Sequence, residues 1–141
     1  ELEAIGALRR PMPRIAAVQA AGCAPIVEAF AGGAENAAPW KDPVTIASGI
    51  RVPSSRADAL ILRALRESGG TAVSVTDGEI VASVGEIARA LGVFPSPEGA
   101  AAWAGLKRLV REEKISPSAR IVIVNTAGGA RYRFLLDSRE P

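Results

Sequence analysis

In the stretch VIVNTAGGARY (122–132) an apolar run breaks into small residues, with an amide and a hydroxyl at the break. Asn125 can both donate and accept, and Thr126 offers one neutral hydroxyl. Ala127, Gly128 and Gly129 keep the backbone bare enough for a flat ligand to approach closely. Two readings stand at this point: a ligand-contacting loop, or a strand end whose threonine bonds its own turn. No G-x-G-x-x-G and no G-K-[ST] occurs, so a nucleotide-phosphate site has no motif behind it. A second small-residue turn, Ala47-Ser48-Gly49, lies between Pro43 and Pro53. Glu98 follows a Ser-Pro pair and complements the start of a helix.

What is missing narrows the chemistry further. There is no histidine, which removes the commonest general base and the commonest zinc ligand and excludes Ser-His-Asp or Cys-His catalysis within these residues. No metal site is expected. The lysines are Lys41 in a Pro-flanked loop, and Lys107 and Lys114 on or just after an amphipathic helix. The single cysteine, Cys23, makes no internal disulfide and suits a small buried filler. Asp77 and Glu79 are read as helix-capping residues, not as an acid/base dyad.

A net charge of +2, scattered basic residues and 4% aromatics argue against nucleic acid. The chain is 48% hydrophobic with a mean hydropathy of +0.19, yet no apolar run approaches the ~18 residues that span a bilayer. No membrane association is expected, and the cytoplasm is the default location. The apolar excess is instead expected to be covered by another subunit, giving a homo-oligomer, or by a further part of the same polypeptide. The opening ELEAIGAL already carries helical spacing through Leu2, Ile5 and Leu8, as a piece of a longer protein would.

The elements that must position these residues alternate. RIAAVQA (14–20) predicts a short buried strand, and APIVEAF (24–30) a helix closed by Gly32-Gly33 in a left-handed cap. Residues 32–54 predict a long irregular connection of a kind that is usually functional or disordered. Ser55 to Glu67 predicts a helix opened by a Ser55–Asp58 capping box, and TAVSV (71–75) a strand. Thr76 to Glu79 predicts a capping box for a helix running to Leu91 and stopped by Gly92. Ser96 is the expected N-cap, with Pro97 at the first position, of a helix running to about Glu113; Trp103 and Leu106 on it are core or interface. RIVIVNT (120–126), apolar on both faces, predicts a central strand. This order implies a parallel-sheet three-layer α/β architecture. Ligands of such sheets lie beyond the carboxyl ends of the strands, here Gln19–Gly22, Val75–Asp77 and Asn125–Gly129.

Five blocks then occur in order: RIAAVQAAGCAPIVEAF, PVTIASGIRVP, LILRALRESGGTAVSVTDGEI, SPEGAAAWAGL and VIVNTAGGARY. Together they resemble the C-terminal part of the threonine synthase branch of the fold-type II pyridoxal-phosphate enzymes, from the first helix to about Tyr132. The tail RFLLDSREP goes beyond the resemblance. The resemblance implies that residues 1–141 are the C-terminal segment of the large cofactor-binding domain, related to the tryptophan synthase β fold. It implies a lyase that converts O-phospho-L-homoserine and water to L-threonine and phosphate in threonine biosynthesis. It implies that Thr126 bonds the cofactor's pyridine nitrogen and that Ala127, Gly128, Ala47, Ser48 and Gly49 lie near the cofactor, with Glu98 and Asn125 at the substrate or behind it. Gln19 and Cys23 match its VQxxGCxP block. Ala127 stands where the family usually has Gly, and Gly128 lacks the usual polar side chain. The family's Schiff-base lysine and its Gly-rich phosphate cup belong to segments that do not match this chain, so these residues alone are expected to be inactive. Another fold-type II lyase such as a threonine dehydratase, or a non-catalytic α/β module that binds a small ligand or a partner, are the alternatives.

Overall fold

The computed structural model describes residues 5–7 and 12–132. Most of the opening helix expected over residues 1–8, and the tail after Tyr132, fall outside them. Two parallel strands, β1 (Ala16–Ala20) and β2 (Thr71–Val75), pair in register from Ala16 opposite Thr71 to Ala20 opposite Val75. Helices α1 (Pro25–Ala31) and α2 (Asp58–Glu67) form the crossover between them, and α3 (Asp77–Leu91) and α4 (Pro97–Arg111) follow.

Strand alternation sends successive side chains to opposite faces. Ala17 and Ala72 pack with Ile26, Ala29, Leu62 and Leu65 of α1 and α2. Val18, Ala20 and Val75 pack with Ile80, Val84, Ala100, Ala101 and Ala104 of α3 and α4. The result is the expected three-layer arrangement, a parallel sheet with helices on both faces. Among the described residues, no helix is long and apolar enough to cross a membrane.

Local signals set most boundaries. The Gln19 side-chain oxygen accepts from the Ile26 and Val27 amides at 2.9 and 3.1 Å, closing the start of α1 from the strand beside it. Cys23 is fully buried, and that burial pushes its thiol up against smaller opposing effects of the Val52 backbone and Arg51. The α3 capping box forms as expected: the Glu79 amide donates to the Thr76 hydroxyl at 3.2 Å, and the Thr76 amide to the Glu79 carboxylate at 2.8 Å. Gly92 ends α3 in the left-handed region at φ 65°. Ser96 caps α4, its hydroxyl accepting from the Gly99 amide.

The Gly32-Gly33 cap of α1 forms as expected, with Gly33 in the left-handed region at φ 70° after a right-handed Gly32. Two expectations are corrected. Helix α2 begins at Asp58, not Ser55, without a side-chain cap. The Asp58 carboxylate is turned outward to the Ala37 amide at 2.8 Å, so it anchors the preceding connection and does not complete a box with Ser55. RIVIVNT forms no strand, and Val122 and Val124 are 90% and 71% exposed. An apolar run becomes a central strand only where both its edges find ladder partners. Among the described residues, β1 and β2 pair with each other and with nothing in 120–126.

Removing the α3 cap has a measurable cost. Thr76→Ala is expected to lower stability to urea by about 1 kcal/mol near neutral pH. The Glu79 carboxyl is held below its ordinary range, first by the Thr76 amide, against burial, and then by the Thr76 hydroxyl and Arg108. A carboxylate lowered in the folded state stabilises fully above its unfolded pKa and loses that contribution as pH falls through the folded value. The Thr76→Ala deficit should therefore shrink on acidification.

Candidate functional site

The connection between α1 and α2 crosses the carboxyl ends of both strands. The Val44 amide donates to the Gly22 carbonyl at 3.1 Å, just past β1. Asp77, just past β2, accepts from the Thr45 hydroxyl at 2.6 Å and from the Ile46 amide at 3.1 Å. Thr45, itself buried, also accepts from the Ala47 amide. A single 3-10 turn follows at Ser48–Ile50. Asp77 therefore has a second role besides opening α3: it straps the Ala47-Ser48-Gly49 turn over the end of β2.

The other side of that turn is tied to α4. The Glu98 carboxylate accepts from the Gly49 amide at 2.8 Å and from the Tyr132 hydroxyl at 2.9 Å. The Tyr132 oxygen lies 3.0 Å from the Ser48 hydroxyl. Burial is the largest single influence on Glu98 and pushes its pKa up. Hydrogen bonds from its own amide, the Gly49 amide and the Ser96 and Tyr132 hydroxyls together outweigh it and hold the carboxyl below the ordinary range. Glu98 thus joins two loops to α4, which is more than a helix-terminal charge would do.

The Asn125–Gly129 turn lies against the same helix end. The Ser96 amide donates to the Ala127 carbonyl at 3.2 Å, and the Gly129 amide to the Phe94 carbonyl at 2.8 Å. The Asn125 side chain lies against Gly99, whose missing Cβ is what admits it. A 3-10 turn, Gly129–Tyr132, then brings Tyr132 to Glu98.

The fold therefore gathers Ser48, Gly49, Glu98, Asn125, Ala127 and Gly128 around one helix end, with Thr126 between two of them. Ala47 differs from its neighbours: it is fully buried in the α3/α4 core, so Ser48 and Gly49 are the exposed members of its turn. Thr126 is exposed, and its hydroxyl has no hydrogen-bond partner among the described residues. Nothing lies within 4 Å of where a Gly128 Cβ would stand. The Thr126 hydroxyl is therefore not bonded to its own turn, and the space beside Gly128 is open. The lysines are engaged or placed elsewhere: Lys107 pairs with Glu86, Lys114 with Glu112, and Lys41 is exposed in its loop.

Two members of the site were not apparent in the sequence. Tyr132 is the chain's one tyrosine, and its partners lie 34 and 84 positions away; its rarity beside a Gly-rich turn is the only local signal. In the sequence Asp77 reads only as part of the α3 cap, which Thr76 and Glu79 make, while its own carboxylate serves Thr45 and Ile46. A separate groove of about 620 Å³, lined by Trp103, Leu106, Val110, Pro117 and Ile121 among others, shares no residue with this cluster.

A family model described as pyridoxal-phosphate dependent enzyme matches residues 2–127. The chain is 41% identical over 120 residues to a threonine synthase of Methanocaldococcus jannaschii, covering 85% of this chain and 30% of the relative. It is 40% identical over 115 residues to a threonine synthase of Methanosarcina acetivorans, covering 82% and 28%. It is 34% identical over 131 residues to a threonine synthase of Mycobacterium leprae, covering 93% and 34%. The chain thus spans about a third of the length of these relatives.

Proposed function

We propose, because this chain belongs to the pyridoxal-phosphate-dependent enzyme family, that it is the C-terminal segment of the large domain of a threonine synthase. The enzyme would convert O-phospho-L-homoserine and water to L-threonine and phosphate. The gathering of the 47–49 and 125–129 turns on the start of α4, with the Thr126 hydroxyl exposed and without a partner among the described residues, carries this reading. The likeness to named threonine synthases directs it to that substrate.

Bound pyridoxal phosphate supplies the electron sink that such eliminations and additions need. The residues of this chain bind and orient it. The Thr126 hydroxyl meets the ring nitrogen without fixing it as a cation, as a carboxylate in that place would. Gly128 lets the backbone come close to the ring, and the Ser48–Gly49 turn closes another side under the control of Glu98 and Asp77. The cofactor-anchoring lysine comes from sequence outside these 141 residues, and the chain by itself is inactive. Val44, Val122 and Val124, all strongly exposed, are covered in the working enzyme by its remaining polypeptide or by a second subunit.

Thr126→Ala in the full-length enzyme tests this. Cofactor affinity is expected to fall about tenfold, the loss of one hydrogen bond to a ring nitrogen, with turnover reduced and far-UV circular dichroism unchanged. Unchanged cofactor affinity removes Thr126 from the site. Failure of the unaltered enzyme to release phosphate from O-phospho-L-homoserine overturns the substrate assignment.

A further inference from the structure

The hydrogen bonds through Tyr132 run in one direction only. An ionised carboxylate has no proton to give, and Glu98 is held ionised by the donors around it. The Tyr132 hydroxyl therefore donates to Glu98, which uses its single proton. The 3.0 Å contact between Ser48 and Tyr132 then requires the proton of Ser48. A serine hydroxyl ordinarily rotates to donate or accept as its partner requires. Here that freedom is removed, and only the lone pairs of the exposed Ser48 oxygen are left for a ligand.

The backbone of the same turn adds to this polarity. The Ser48 amide is spent on the Ile46 carbonyl, the Gly49 amide on Glu98 and the Ile50 amide on the Ala47 carbonyl. From Ser48 to Ile50 no main-chain donor is left over, and the negative charge of Glu98 stands directly behind. Phosphate sites need the opposite, converging N–H donors and positive potential. This turn accepts and does not donate.

Resting on the cofactor-site reading above, we propose that Ser48 is a specificity-determining residue that accepts a hydrogen bond from the side-chain hydroxyl of the bound amino acid. Tyr132 and Glu98 are positioning residues that set the direction of that bond. The phosphate end of the substrate is turned away from this face.

The test is titration of the full-length holoenzyme, followed by cofactor absorbance, with L-threonine, with L-2-aminobutyrate (which lacks the hydroxyl) and with inorganic phosphate. Ser48→Ala should weaken L-threonine about tenfold, the scale of one hydrogen bond, and leave the phosphate constant unchanged. Ser48→Thr, which keeps the hydroxyl, should recover most of the loss. Tyr132→Phe should weaken L-threonine severalfold, and the double variant Ser48→Ala/Tyr132→Phe should bind no worse than Ser48→Ala alone, because Tyr132 acts through Ser48. A loss for L-threonine alone supports the proposal; an equal loss for L-2-aminobutyrate overturns the specificity role. Unchanged L-threonine affinity in Ser48→Ala, additive losses in the double variant, or weakened phosphate binding overturns the proposal while the cofactor site stands. A holoenzyme preparation with no cofactor band overturns both.

Discussion

Gly105→Leu is expected to destabilise the protein by about 3 kcal/mol, measured by urea unfolding. Helix α4 crosses the sheet at this residue: a Cβ built on Gly105 would stand 2.6 Å from Val18 Cγ2, 2.9 Å from Val18 Cγ1 and 3.2 Å from Val73 Cγ1. Val18 and Val73 are in-register partners on β1 and β2, so the helix backbone rests directly on a paired step of the ladder. Valine is branched at Cβ and has little rotamer freedom with which to yield. Gly105→Ala separates the competing effects. It gains about 0.5–1 kcal/mol of helix propensity over glycine, and loses about 1–3 kcal/mol to overpacking, so a net loss is expected. Adding Val18→Ala to Gly105→Ala removes the obstacle, and the pair should be about 1 kcal/mol more stable than the sum of the two single effects. A Gly105→Leu variant within about 0.5 kcal/mol of the original protein would show that α4 does not sit on the sheet at this point.

The same residue shows where sequence reasoning stops. The start of α4 could be read locally, because Ser96, Pro97 and Glu98 act on the amides next to them. The box at Thr76–Glu79 and the stop at Gly92 were legible for the same reason: each involves atoms no more than four residues apart. Gly105 carries no such mark, since its requirement is imposed by strands more than thirty positions earlier. Asp58 failed in the opposite way. Its position after Ser55 satisfies a capping pattern, but a competing amide from Ala37 takes the carboxylate. RIVIVNT failed because strand character belongs to the ladder, and alternation or apolarity in one segment cannot supply a neighbour. The candidate site divides along the same line. Thr126, Gly128, Ser48 and Glu98 were singled out through the ordered blocks of family resemblance. The bonds that bring them together, Glu98 to Gly49 and Tyr132 to Ser48, span 49 and 84 residues and have no local signature.

The largest expected effect on the site itself comes from Gly99→Ala. A Cβ at Gly99 would overlap the Asn125 Oδ1 and lie 2.8 Å from its Cγ and 3.2 Å from its own Cβ. Clearing that overlap takes more than a turn of the amide tip, because the first atom of the Asn125 side chain is already crowded. The backbone at Asn125 must retreat, and the Ala127 and Gly129 anchors to Ser96 and Phe94 resist it. Helix α4 itself accepts alanine readily, and the Ser96 cap uses the residue 99 amide, which alanine retains. The expected outcome is a protein with near-original far-UV circular dichroism and urea midpoint, in which cofactor affinity in the full-length enzyme falls more than tenfold. The Thr126 hydroxyl and Gly128 shift with the segment, and a ring-nitrogen bond tolerates little displacement before its distance and angle fail. Gly99→Ala/Asn125→Gly restores the space, so its affinity should return to that of Asn125→Gly alone, which isolates the clash from any contact made by Asn125. If Gly99→Ala binds cofactor as the original enzyme does, the 125–129 turn is not the surface that holds the ring. If it unfolds, the Asn125–Gly99 contact is part of the core of the fold, and the site must be sought away from the start of α4.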